Sequence, residues 1–270
     1  MGLFGHNFYA EGPGVTKEQA KKRSYFDILM RKFWSFVKLN LLYAICILPL
    51  AVLSFFLLEL YGGAKEVFEA IAVSIKEGKL ILIPVLPFLP WIFTGPLTAG
   101  LTYVLRCYSR QEHAFIASDF FEYTRKNFKQ GTIVGFIQTA TVYLFLTALL
   151  FYIKFLPIVF VVPVALFILL LLLSMSYYIF PIMITFDMKI GDIYRNSLIF
   201  SMAKFLRNIL ITIVVYGVNI ILAWYISVIW LVLVALILLA LSGFTTTYYA
   251  WGVIEKYMIK EETEENIEML

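Results

Sequence analysis

A chain of 270 residues that is 61% hydrophobic and only 15% charged, with a mean hydropathy of +0.86, is too apolar for a water-soluble domain. Its formal charge of +4 does not imply nucleic acid, because the bases adjoin apolar runs and the tail is acidic at Glu261, Glu262, Glu264, Glu265 and Glu268. Anionic lipid headgroups are the simpler partner, no nucleic acid is expected, and the chain reads as an all-α membrane protein.

In chain order, residues 1–35 form a polar segment, expected in the cytoplasm, without the apolar core of a cleavable signal. His6 stands where a myristoylation signal carries Ser or Thr. Within this segment an amphipathic helix is predicted from Thr16, with Gln19 as its capping partner. The membrane domain, 36–254, follows. Its charge-free stretches are 39–58, 80–105, 130–153, 155–186 and 208–254. About 20 residues cross the hydrocarbon, so each of the first four holds one helix. The fifth has 47 residues, about 70 Å as a helix, which suits two crossings.

The predicted spans are therefore about 37–60, 80–104, 131–153, 157–184, 208–224 and 228–252. The last two are joined by a tight outer turn at Trp224, Tyr225, Ile226 and Ser227, whose aromatics suit the interfacial belt. Without that turn there would be five spans and the tail would lie outside. Between the first two spans, Gly62 and Gly63 break the helix. Val67, Phe68, Ile71 and Ile75 then recur at helical spacing opposite Lys65, Glu66, Glu69 and Lys76. That pattern fits an amphipathic helix on the outer surface, or a solvated connector. Residues 255–270 form an acidic tail, expected in the cytoplasm.

This threading puts 18 of the 22 lysines and arginines on one side, with Lys65, Lys76, Lys79 and Lys154 on the other. The bias predicts a multi-pass protein of the cell membrane with both termini cytoplasmic. Two inner segments read as surface helices. Asp119 would cap the first and Asp192 the second, each carrying apolar residues beside bases. Phe120, Phe121, Arg125, Lys126, Asn127, Phe128, Lys129, Arg195, Lys204 and Arg207 are the candidates to face lipid phosphates or dock a protein. Cys46 and Cys107 lie near the same leaflet and read as free thiols.

An aromatic, a base and then Asn precede the odd-numbered spans, ending at Asn40, Asn127 and Asn208. The pattern would arrange a six-transmembrane-helix bundle as three parallel hairpin repeats, each led by an amphipathic cytoplasmic surface helix. Gly95, Pro96 and Pro181 are candidate structural kinks near the inner ends of even-numbered spans.

Catalytic chemistry is sparse. The charge-free runs offer no proton relay, and the two histidines, His6 and His113, fall outside them. No spacing of His, Cys and carboxylate suggests a metal site. Gly12-Pro-Gly-Val-Thr-Lys17 lacks the spacing and the preceding strand of a phosphate loop. No catalytic residue, metal or cofactor is expected, and the protein is expected not to be an enzyme. Gln138, Thr139, Ser174, Ser176 and Asn219 read as packing contacts between helices rather than as a permeation path.

The run Gly95-Pro96-Leu-Thr98-Ala99-Gly100-Leu101-Thr-Tyr103-Val-Leu-Arg106 is followed by Asp119-Phe120-Phe121 and Arg125-Lys-Asn127-Phe128-Lys129-Gln130. It resembles the YesL-like bacterial integral membrane proteins, a family of unknown function. Pro181-Ile-Met-Ile-Thr-Phe186-Asp187, with Arg195-Asn196 and Arg207-Asn208, is similar to that family's second half. Members are often encoded beside carbohydrate-uptake systems. The resemblance therefore implies a non-catalytic accessory or assembly partner of an ATP-driven carbohydrate transporter, with carbohydrate ABC transporter subunits as partners. The alternative is a small-molecule facilitator or channel formed by the bundle. The segment between the first two spans is longer here than in shorter relatives.

Overall fold

Hydrocarbon offers no partner to a backbone N–H or C=O, so a spanning chain satisfies these groups within its own helices. The computed structural model describes residues 24–77 and 84–260. Among the described residues there is no strand, and six helices are long and apolar enough to cross a membrane. The protein is thus an all-α, multi-pass six-helix bundle. The helix predicted from Thr16, the base Lys79 and the acidic residues beyond Lys260 lie outside the described residues.

Short helix α1 (Tyr25–Arg31) leads into α2 (Phe33–Glu59), and α3 (Gly63–Glu77) follows. At their junction Gly62 and Gly63 hold φ of 85° and 84°, a left-handed conformation that suits glycine and turns the chain. On α3, Phe68 is exposed, as are Lys65 and Glu69, paired at 3.9 Å. The second span runs Leu86–Ser109, but it is not one regular helix. Pro87 and Pro90 deny it two backbone donors, so Leu86–Phe93 is a tighter 3-10 segment and α4 begins at Thr94. Next come α5 (Ile116–Lys126), α6 (Phe128–Phe155), α7 (Ile158–Thr185) and α8 (Ile190–Ala203). The last two spans, α9 (Phe205–Tyr225) and α10 (Ser227–Ile259), are separated by Ile226 alone. The predicted turn lies there, with Trp224 and Tyr225 exposed.

Half of the most apolar stretch of the second span is buried, against 11–17% in the other five. That span is therefore the axis of the bundle: α4 packs against α2, α5, α6, α7 and α10. Small residues make this possible. A Cβ on Gly95 would run into the Gly131 carbonyl oxygen, and one on Gly135 into that of Ile92. Gly131 and Gly135, one turn apart on α6, let backbones touch where any side chain would hold them apart. On the other face of α4, Gly100 does the same against the Phe120 carbonyl of α5.

Most of the described bases, though not Lys65 or Lys154, gather at one end of this bundle. There Lys32 Nζ donates to the Glu112 carbonyl oxygen at 3.1 Å, Arg106 Nη1 to Thr185 Oγ1 at 2.8 Å, and Lys204 Nζ to Tyr257 Oη at 2.7 Å. Both apolar cores lie toward this end. One joins Ile28, Phe36, Leu39, Leu105, Tyr108, Phe120 and Phe244. The other joins Tyr178, Ile182, Ile193, Phe200 and Ile254.

Each pair of spans is preceded by a short helix and a one-residue break, at Lys32, Asn127 and Lys204. Their backbones nearly coincide, with φ of −103°, −98° and −113° and ψ of 16°, 16° and 24°. An aromatic follows each break: Phe33, Phe128 and Phe205. The threefold pattern is thus present in local structure, but the register drawn through the asparagines is wrong. Asn127 forms its break, while Asn208 and Asn40 lie one and two turns past theirs. Asn40 is instead buried against α10, where the helix widens over Val234–Leu238. Its amide nitrogen donates to the Val234 and Ala235 carbonyl oxygens at 2.9 and 2.7 Å, and its oxygen accepts from Ala240 N–H at 2.8 Å. Asn208 Oδ1 accepts from Tyr178 and Tyr249, both at 2.8 Å, and its Nδ2 donates to the Ser201 carbonyl at 3.1 Å.

Candidate functional site

Among the described residues, polar chemistry gathers at the basic end and along an uncharged cavity between the helices. At the basic end α1, α5 and α8 form a collar, each an elbow onto a span. Both predicted caps fall inside their helices rather than before them. α5 starts three residues before Asp119, whose Oδ2 accepts from Phe115 N–H at 2.9 Å. α8 starts at Ile190, two residues before Asp192. On α1, Asp27 reaches back in the same way to Ser24 N–H at 3.1 Å. An acid in the first turn serves an unpaired N–H and the positive helix terminus as well as a residue at the cap itself.

Phe121, Arg125, Lys126, Phe128, Lys129, Arg195 and Arg207 are exposed. Among the described residues none of these bases has an ion pair. Phe26, Met30 and Trp34 around the first elbow, and Met202 and Leu206 around the third, are also exposed. Each elbow thus shows apolar side chains beside bases, the composition of a helix seated at a headgroup boundary. Three candidates do not belong to this surface. Phe120 is wholly buried, ring to ring with Tyr43, because it lies on the face of α5 turned to Gly100. Asn127 is half-buried at its break, and its amide donates to the Tyr123 carbonyl. Lys204 is half-buried, its ammonium 4.5 Å above the Tyr257 ring. Lys32 repeats that arrangement 4.1 Å above the Tyr108 ring, and burial pushes its ammonium below the ordinary lysine value. Between α1, α9 and α10 the collar opens into a cleft of about 510 Å³ bordered by Lys204, Arg207, Lys256 and several tyrosines.

The candidate kinks have other tasks. Pro96 lies in the first turn of α4, where a missing N–H costs no helical hydrogen bond; the irregular backbone lies before it, at Pro87 and Pro90. Gly95 makes the contact with α6. Pro181 lies inside α7, where the Thr185 hydroxyl donates to its carbonyl. Arg106 is buried at the basic end of α4, between the rings of Tyr103 and Trp251 at 4.9 and 5.8 Å. It donates to Thr185 Oγ1 and to the Ile184 carbonyl, while its Nε finds no partner among the described residues.

The second region is a cavity of about 480 Å³ between α4, α6, α7, α9 and α10. Its wall includes Thr98, Thr102, Gln138, Ser176, Tyr177, Tyr216, Asn219, Ser242, Thr246 and Thr247, and no acid or base. Some of these groups are satisfied locally. Asn219 Nδ2 donates to the Val215 carbonyl at 2.7 Å, and Ser176 Oγ to the Leu173 carbonyl at 2.7 Å. Gln138, Ser176 and Asn219 thus share one cavity, whereas Thr139 and Ser174 are not on its wall. The hydroxylated residues of α4 and α10 escaped notice in the sequence, because single threonines and serines in apolar runs usually bond their own helix. The pair Gly131 and Gly135 carried a legible signal, two small residues four apart, that was also passed over.

Among the described residues no group of three or more His, Cys, Asp or Glu is placed to hold a metal. Cys46 and Cys107 are both free thiols. No curated protein and no solved structure matches this chain. Residues 79–149, which include the axial span, α5 and most of α6, match the family described as Protein of unknown function, DUF624, and the YesL-like resemblance is consistent with that family.

Proposed function

We propose that the chain is a non-catalytic integral membrane protein whose working surface is the basic collar. The collar faces the cytoplasm, seats in the anionic inner leaflet, and there assembles with the membrane subunits of an ATP-driven carbohydrate-uptake system. The observation that carries this reading is the repeated elbow, three short helices that expose apolar side chains beside unpaired bases at one end of the bundle. The charge bias supports the orientation, and the family resemblance supplies the carbohydrate system.

Its test is purification from native membranes with mass spectrometry. The wild-type chain should bring down a carbohydrate ABC transporter subunit in near-stoichiometric amount. Replacing Arg125, Lys126 and Lys129 by Glu removes three bases, each contributing about 1 kcal/mol near an anionic surface, and should cut that recovery at least tenfold. Wild-type protein recovered alone at full yield, or unchanged recovery with the variant, contradicts the reading.

The uncharged cavity favours a second reading, a facilitator for a small molecule. Flux through the purified protein in sealed liposomes supports it, and liposomes no leakier than protein-free ones count against it.

A further inference from the structure

Four polar groups on the cavity wall make no hydrogen bond among the described residues: the hydroxyls of Thr102, Tyr216 and Thr247 and the carboxamide of Gln138. Thr102 and Thr247 are 5% and 4% exposed, and neither turns its hydroxyl back to its own helix, as Thr98 and Thr246 do. The Thr102 and Thr247 side chains are thus held largely out of water without a partner, which is costly, while Gln138 is half-buried and Tyr216 is 38% exposed. All four groups, one from each of α4, α6, α9 and α10, line one space among the spans, of the size that holds small ligands.

The chemistry of the wall selects among occupants. A lipid tail would leave all four groups unpaired. A charged solute would lose its hydration and meet no opposite charge, since no acid or base lines the space. A neutral solute with several hydroxyl groups pairs with threonine, tyrosine and glutamine alike, because each hydroxyl both donates and accepts. The rings of Tyr177 and Phe180 on the same wall offer apolar faces to its carbon skeleton.

We infer that this cavity is a binding site for a small, uncharged, polyhydroxylated solute, held by Thr102, Gln138, Tyr216 and Thr247. The inference deepens the second reading, whose cavity it uses, but binding does not require permeation.

Equilibrium binding of radiolabelled glucose, mannitol and glucuronate to the purified full chain in lipid nanodiscs tests it. At least one of the two neutral probes should bind saturably, with glucuronate at least tenfold weaker. Thr102→Val, which keeps the side-chain shape, and Gln138→Leu should each weaken that binding at least fivefold while the melting temperature holds. No saturable binding of glucose or mannitol overturns the assignment, as does equal binding of glucuronate or unchanged affinity in both variants. Saturable binding without liposome flux keeps the site and defeats only the facilitator.

Discussion

Gly135→Leu should lower stability by about 3 kcal/mol, at the upper end of what overpacking costs. A Cβ alone at this position would already meet the Ile92 carbonyl oxygen. The obstacle is backbone rather than the yielding tip of a side chain, so relief requires separating α6 from the axial span. That separation would also break the reciprocal contact of Gly131, whose Cβ would lie 2.9 Å from Pro96 N and Cα. Thermal unfolding of detergent-purified protein measures the effect. Gly252→Ala is the control, because a Cβ there has nothing within 4 Å, and its melting temperature should stay close to wild type. Equal melting temperatures for Gly135→Leu and wild type would show that the axial packing is not tight.

Asn40→Leu should be about as damaging. The leucine fills a similar space but leaves the Val234 and Ala235 carbonyls and the Ala240 N–H without their side-chain partner. Inside a bundle no water makes good the loss, and each orphaned group costs about 1–3 kcal/mol. The expected loss is at least 3 kcal/mol, read by the same unfolding assay, with amide exchange accelerated around Val234–Leu238. Thr132→Val serves as the comparison, since its hydroxyl bonds only the Phe128 carbonyl one turn back on its own helix, and it should change stability by less than about 0.5 kcal/mol. Matching effects in the two variants would remove Asn40 from its role as the brace of the widened helix.

Asn40 and Asn208, which lie past the breaks at Lys32 and Lys204, mark what the amino-acid sequence could and could not convey. Charge-free runs and base placement carry the number of spans because burial of charge in hydrocarbon is prohibitive whatever the neighbours are. Helix starts are weaker, since an acid can serve the first turn from several positions, and both Asp119 and Asp192 lie inside their helices. The repeat was visible as composition but its register was not. The equivalence lies in the backbone of Lys32, Asn127 and Lys204, which two lysines and an asparagine share without shared side-chain chemistry. The collar was largely legible because exposed bases beside aromatics form a local pattern. Phe120 was misplaced because the glycine against which its backbone packs lies twenty residues away, on another helix. The cavity was illegible as a unit, because its polar groups come singly from helices far apart in the chain.

The collar as a docking face is tested most directly by a photo-crosslinking residue placed at Phe121 in native membranes, compared with one at Phe151. The two side chains are nearly equally exposed, at 43% and 41%. Phe121 sits in the collar, whereas Phe151 lies three residues before Lys154, toward the opposite end of α6. Crosslinking from Phe121 to a carbohydrate-transporter subunit, with lipid adducts alone from Phe151, is the predicted result. Lipid adducts alone from both positions would contradict a protein-docking collar.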